Sequence, residues 1–412
     1  MAGSGLHPLH RLWRAMPAGA RRRLLARGAA LVAPRPDQPP PPVRDGVVVA
    51  GELARASGLG EAARLTLAGL EQLGVPGWSL RAGLRLPGET EDVAVADSAP
   101  PPGAALALHV NAPHVAAALL QLGRGMLRGR RVIGCWAWEL PVAPPDWRAG
   151  VDLVHEVWVP SRFTAAAIEP LLPGRVRVVP YCVACRPPVP AALDRAAFGL
   201  PSDAVVVLTS FSLASSFERK NPLAAIAAHR QAFGDRADRI LMMKIGHSGH
   251  FPEDLQRLKD AAGGAANIRF ETRTLPPADN HALTACADIV LSLHRSEGFG
   301  LVPAEGMLLG RAVIATNWSG NTDFMDDDTS VLVPYQLIPA VDPRGVFQAQ
   351  DAVWADADVG IAAQHLARLA DDPAARTALG ARAQYAARAR LGTDALAAAL
   401  RGLGLVLPGS AA

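Results

Sequence analysis

Short apolar runs alternate with helix-compatible stretches along most of this chain, and the alternation stops once, at a proline-rich span, before starting again. "VVVAG" from Val47 is followed by "ELARASGLG" and by a helical pattern, with Gly58 and Gly60 expected to form a tight turn ahead of a helix starting near Glu61. The runs "AALALHV", "RVIGCW", "VHEVWVP" and "VRVVPY" come next, each leading into a loop or a helical stretch. Ser161, after Pro160, is placed to cap one of those helices. Continuous apolar runs are what strands buried on both faces need, and helices between them make the connections parallel. The span 186–203 reads as a linker, after which "AVVVLTSF", "RILMMKIG", "NIRFETR", "ADIVLSLH", "RAVIATNW" and "SVLVPY" repeat the pattern. From about Gly345 onward the alanine content predicts mostly helix. The expectation is therefore α/β: two Rossmann-like parallel-sheet domains facing across a cleft, at 45–185 and 204–385. A basic leader covers 1–44 and a helical segment and tail cover 386–412. A chain of 412 residues can bury a core in each domain.

Charge separates the leader from the rest. Residues 1–44 hold eight arginines and one aspartate, 8 − 1 = +7, so the remainder carries 3 − 7 = −4 of the net +3. A mildly acidic body without a zinc-finger signature or basic aromatic face argues against a nucleic-acid partner. Leu6, Leu9, Trp13, Leu24, Leu25, Leu31 and Val32 interleave with the leader's arginines. That pattern suits either a helix lying on an anionic membrane surface or a solvated basic tail before the spacer "PRPDQPPPP". No apolar run reaches the roughly 18 residues of a spanning helix and no secretory signal stands out, so the expected location is cytoplasmic, with the leader as a contact to the inner face of the plasma membrane. Cys182 and Cys185 form a C-x-x-C without a second ligand pair; with Cys135 and Cys286 they are expected to be inert thiols, and no metal site is assigned.

Ligands of open parallel sheets collect outside the carboxyl ends of the strands, so the loops there hold the candidate chemistry. In "LHRSEGFGLVPAEGMLLG", Glu297 projects from a loop and Glu305 sits in the first turns of the following helix, with Pro303 beside it. Gly298, Phe299 and Gly300 between them leave room for a ligand to approach the backbone, and the helix start offers N–H groups to a phosphate. Two carboxylates so spaced can accept hydrogen bonds from sugar or ribose hydroxyls; alternatively Glu305 favours the helix dipole and Glu297 is solvated. "SFSLASSFERKNP" brings Arg219 and Lys220 to a helix start, where a diphosphate could be neutralised. Lys244, ending an apolar run, is either a strand-end residue reaching solvent or another cation of the cleft. Trp136, Trp138, Glu139 and Trp147 cluster in "GCWAWELPVAPPDW", where tryptophan faces suit either a sugar ring or a core. Gly58-Leu59-Gly60 lacks the third glycine of the dinucleotide fingerprint and serves close approach instead.

Together these segments resemble retaining glycosyltransferases of the GT-B class, family 4. Glu297 and Glu305 occupy the glutamate places of that family's E-x7-E motif, and "ERKNP", "WELP", "VWVPSRF" and "WSGNTDF" resemble a bacterial branch acting in surface-polysaccharide assembly. The likeness covers roughly residues 45–400. It implies a nucleotide-sugar donor (GDP-mannose-like or a UDP-sugar) as co-substrate, no other cofactor, and a glycan or lipid-linked glycan acceptor. By resemblance Glu305 binds ribose, Glu297 contacts the donor sugar, and Lys220 neutralises the diphosphate. Gly58 and Gly60 match the glycine-rich loop at the reaction centre, and Trp138 and Glu139 lie on the acceptor side. No dedicated site for a metal-bridged donor is visible in the sequence, so metal independence is the expectation; the resemblance implies retention by same-face attack of the acceptor. The chain departs from the family at Ser215, where an arginine is usual, and at Trp138, where many members have histidine; neither His109 nor His114 is assigned as a base. Rival readings are an inverting GT-B transferase, an epimerase of similar architecture, or a nucleotide-sugar-binding protein without turnover.

Overall fold

The computed structural model describes residues 16, 18–83, 99–347 and 349–408. Two six-stranded, all-parallel sheets dominate it. The first contains β1 (Val47–Gly51), β2 (Gly77–Arg81), β3 (Ala105–His109), β4 (Val132–Cys135), β5 (Glu156–Val159) and β6 (Val176–Val178), in the order β2-β1-β3-β4-β5-β6. The second contains β7 (Val205–Ser212), β8 (Arg239–Gly246), β9 (Ile268–Glu271), β10 (Ile289–Ser292), β11 (Ala312–Thr316) and β12 (Val331–Val333), in the order β12-β11-β10-β7-β8-β9. β1, β3 and β11 are buried along their whole length, which is why their sequences are uninterrupted apolar runs. β2, "GWSLR", lies at the sheet edge and alternates too weakly to stand out in the sequence.

One expectation fails after Gly345. Val353–Ala357 is not helical; it forms strand β14, which pairs antiparallel with β13 (Tyr335–Pro339) in a two-stranded ribbon. Trp354 and Ala355 are fully covered, and Val353 and Trp354 favour extended backbone over helix. Helices follow at Val359–Asp371, Pro373–Arg390 and Asp394–Gly402. The expected boundary at 386 falls inside the second of these. The third returns to the first sheet, where Leu396 and Leu400 pack with Val47, Val49 and Leu70. In the linker, Arg195–Phe198 forms a helical turn, and Phe198 and Leu200 join the second domain's core beside Val206 and Met242.

In each sheet the strand order reverses at one point: between β1 and β3 in the first, between β7 and β10 in the second. Neighbouring loops diverge there and leave a crevice at the carboxyl ends. The loops after β7 and β10 carry Arg219, Lys220 and Glu297. The two domains meet through hydrogen bonds at this end. Ser161 is fully buried, caps helix Arg162–Ile168 by accepting from Thr164 N (3.1 Å), and donates to the Gly298 carbonyl (2.6 Å). Arg162 N and Nε both reach Asp323 across the interface, at 2.7 and 3.1 Å.

Candidate functional site

The chain after β7 makes a helical turn, Phe217–Lys220, capped by Ser216, whose hydroxyl accepts from Arg219 N. Asn221 then takes a left-handed conformation (φ 49°), and Pro222 opens the next helix. This double start turns Arg219 and Lys220 toward the loop after β10. Lys220 Nζ pairs with Glu297 Oε1, and Arg219 Nη1 lies 3.3 Å from Glu297 Oε2, so each carboxylate oxygen meets its own cation. Glu139, arriving from the other domain after β4, brings Oε1 to 3.9 Å from Arg219 Nη2.

Arg219 is 2 % exposed and held from several sides. It donates to the Ser296 carbonyl at 2.7 Å and to Ser215 Oγ, and its guanidinium lies 4.9 Å from the centre of the Phe347 ring. The hydroxyl at 215 thus touches the arginine four residues later, so a guanidinium stands beside that position although the residue there is serine. The Glu297 loop is fixed by "WSGNTDF": Glu297 N donates to Ser319 Oγ (2.8 Å), and Gly320 N donates to the Glu297 carbonyl (2.9 Å). Beneath it, buried His294 shares Nε2–H with the Asn321 side-chain carbonyl (3.0 Å) and accepts at Nδ1 from Ser292 Oγ (3.0 Å). Ser319, Asn321 and His294 support the site without having been singled out individually from the sequence; the polar "SGN" run was the available signal.

The electrostatics follow from this packing. Burial alone would raise the Glu297 carboxyl, but Lys220, Arg219 and His294 reverse the effect and hold it at about 2. Burial lowers Lys220, while Glu297 opposes that shift. Burial raises Glu139; Arg219 opposes this and Glu297 adds to it. Glu305 contrasts with Glu297. It lies in helix Leu301–Leu308, and burial pushes its carboxyl up to about 8, with the Glu61 carboxylate contributing. Glu61 belongs to the first turn of helix Gly58–Gln72, so that turn of the first domain faces Glu305 of the second.

Several expectations change at residue level. Gly58 and Gly60 do not form a turn before a helix: they are its first turn, capped by Ser57 Oγ, which accepts from Gly60 N. A Cβ at Gly60 would stand 2.5 Å from the Arg55 carbonyl, so the close approach there is to the chain's own backbone. The space at Gly298 is likewise taken by protein, since a Cβ there would meet the Trp138 carbonyl at 3.1 Å. Gly300 has φ +105°, a conformation that favours glycine, at the helix cap. The Phe299 ring is core, between Tyr181 (4.8 Å) and Phe324 (5.0 Å). Trp138 is no exposed sugar platform. It stacks on Phe347 (5.5 Å), lies tilted against Trp147 (5.1 Å) and donates through Nε1 to the Val142 carbonyl. Lys244 is buried; its Nζ donates to the Arg273 carbonyl (2.9 Å) with Glu271 nearby, away from the Arg219–Lys220–Glu297 group. His109 is buried, and burial holds its ring near 3, in the neutral form. The four cysteines are free thiols. Among the described residues no group of three or more His, Cys, Asp or Glu side chains is arranged for a metal ion.

The arrangement joins a buried cation pair with two carboxylates of opposite titration behaviour at the crevice of one parallel sheet, closed by a carboxylate from the other domain. Residues 211–356 match the family model described as Glycosyl transferases group 1. A D-inositol 3-phosphate glycosyltransferase of Acidothermus cellulolyticus is 30 % identical over 214 residues, which are 50 % of this chain and 45 % of that protein. The chain thus spans less than half the length of that relative. Among solved structures, sucrose-phosphate synthase from Thermosynechococcus elongatus superposes with TM-score 0.63 at 16 % identity, covering 87 % of this chain and 98 % of that one. Anabaena HepE in complex with UDP and glucose gives 0.59 at 14 % identity, covering 87 % and 100 %. The fold is GT-B, and the residues that match the Glycosyl transferases group 1 model lie in its second domain and the ribbon that follows it.

Proposed function

We propose that the chain is a retaining glycosyltransferase that moves a hexose-type sugar from a nucleoside-diphosphate sugar, a UDP-sugar or GDP-mannose-like donor, to a glycan or lipid-linked glycan acceptor. The observation that carries this reading is the Lys220–Glu297–Arg219 cluster facing Glu139 across the domains, with Glu305 on the adjoining helix. Transfer requires a diphosphate to leave with growing negative charge. Lys220 and Arg219 are fixed donors in a largely dry site, where such stabilisation costs no reorganisation during the reaction. Glu297, ionised throughout the physiological range, suits hydrogen bonds from donor-sugar hydroxyls close to the bond that breaks. Glu305 suits the ribose. With Glu297 already paired to two cations, an attacking role for it is disfavoured. We therefore favour attack by the acceptor hydroxyl on the face the leaving diphosphate vacates, the departing phosphate oxygen taking the proton. In this reading no metal ion participates. The match to Glycosyl transferases group 1 and the UDP and glucose of the HepE complex support the donor class.

The test is a calorimetric and thermal-shift screen of UDP-, GDP-, ADP- and dTDP-sugars on the full chain, with and without chelator. Transfer or slow hydrolysis of the selected donor follows, with product stereochemistry read from anomeric coupling in NMR. An inverted product refutes retention, and binding without transfer or hydrolysis refutes the enzyme.

A further inference from the structure

Helix Ala18–Val32 packs on the first domain with its polarity inverted. Among its described side chains, those turned inward are alanines: Ala29 and Ala30, with Ala33 just beyond the helix, lie against the core that includes helix Ala112–Leu127. The larger apolar residues point outward, with Leu24 53 %, Leu25 61 %, Leu31 83 % and Val32 70 % exposed. With Gly28 they fall at i, i+1, i+4, i+7 and i+8, which is one continuous stripe along a helix. A helix placed only to cover its own domain would bury leucines and expose small or polar residues; this one does the reverse.

The same helix sequence holds Arg21, Arg22, Arg23 and Arg27 and no acidic residue. The first acid after it, Asp37, is engaged at the Gly129 amide. By sequence, residues 1–44 carry 8 − 1 = +7 and the body −4, so the chain's positive excess lies in the same segment as the exposed leucines. We infer that this stripe docks on an anionic lipid surface, the leucines entering the headgroup–acyl boundary and the arginines meeting lipid phosphates. A second copy of the chain fits less well, because two such faces would bring like charges together. Among the described residues no helix is long and apolar enough to cross a membrane, so the contact lies in the plane of the surface. The inference goes beyond the proposed chemistry and does not depend on it.

Co-sedimentation of the full chain with phosphatidylglycerol-containing and with purely phosphatidylcholine vesicles tests it, alongside light scattering of the protein alone. The wild type binds the anionic vesicles preferentially and is monomeric at the same concentration. The variant L24S/L25S/L31S/V32S, altered only at exposed positions, keeps its melting temperature and binds anionic vesicles at least about a hundred-fold more weakly. R21Q/R22Q/R23Q/R27Q loses the preference for anionic lipid. Undiminished vesicle binding by the leucine variant overturns the proposal. So does a wild-type dimer that the same substitutions dissolve, without vesicle binding.

Discussion

Glu305→Gln preserves the size of the side chain and removes its ionisation, so it isolates the consequence of burying a carboxylate. The carboxyl titrates at about 8 in the folded chain, against 4.5 for an unperturbed glutamate. Below pH 4.5 both the folded and unfolded chains keep the proton, and the substitution changes nothing through charge. As pH rises above 4.5 the unfolded chain releases its proton while the folded chain cannot, so stability falls until pH 8, where both are ionised. Each pH unit in that window costs about 1.36 kcal/mol, giving a deficit of about 3 kcal/mol at pH 7. Glu305→Gln recovers that deficit. For a domain of this size about 1 kcal/mol corresponds to 2–4 °C, so the variant should melt about 6–12 °C higher at pH 7 and equal to wild type at pH 4.5. Melting curves of both proteins from pH 4.5 to 8.5 measure this. A difference that stays flat with pH would show that Glu305 ionises as an ordinary surface glutamate and that its burial has been misread.

The same carboxyl links stability to the proposed ligand. To accept hydrogen bonds from both ribose hydroxyls, Glu305 must be ionised, so donor binding below pH 8 releases a proton. Calorimetry at pH 7 in buffers of different ionisation enthalpy reads that proton directly. Glu305→Gln should bind nucleotide more weakly and release none. A buffer-independent binding enthalpy for the wild type would separate Glu305 from the ligand while leaving the stability argument intact.

Other positions make separate demands. Glu297→Ala should lower turnover by at least about a hundred-fold while leaving nucleoside-diphosphate affinity unchanged or tighter, because it frees Lys220 and Arg219; single-turnover kinetics and calorimetry separate the two effects. Lys220→Met removes one buried charge-assisted contact and should weaken nucleoside-diphosphate binding by about 2 kcal/mol, with a smaller loss for a nucleoside lacking phosphate. Gly298→Ala places a methyl group against the Trp138 carbonyl and should reduce turnover by spreading the domains. Small-angle scattering should then show a larger radius of gyration, and unchanged scattering with normal activity counts against the contact. Ser161→Ala removes the buried bond to the Gly298 carbonyl and should cost about 1–3 kcal/mol in denaturant unfolding.

The sheets were legible because most of their strands are buried on both faces, and such strands must be written as apolar runs. Where burial is partial the message fades: β2 is an edge strand with a tryptophan, a serine and an arginine among its five residues, and β14 hides in alanine-rich sequence. Side-chain destinations were harder for a physical reason. Trp138, Phe299 and Gly298 all sit at the carboxyl ends of strands, where a ligand-facing residue and an interdomain packing residue have the same composition and the same neighbours in sequence. For Phe299 and Gly298 the difference is made by the other domain, whose Trp138 backbone, Ser161 hydroxyl and Tyr181 ring fill the spaces that a ligand was expected to occupy; for Trp138 it is made by the Trp147 and Phe347 rings. The ion pairs raise the same point from the opposite side. Lys220 and Glu297 are 77 residues apart, and nothing in either segment names the other as its partner. They meet because β7 and β10 are adjacent at the point where the second sheet's order reverses, which sends successive connections away on opposite sides and leaves these two loops facing one another. The number of strands does not determine that adjacency; the order does. A sheet with the same strands arranged 7-8-9-10-11-12 would not bring this lysine to this glutamate.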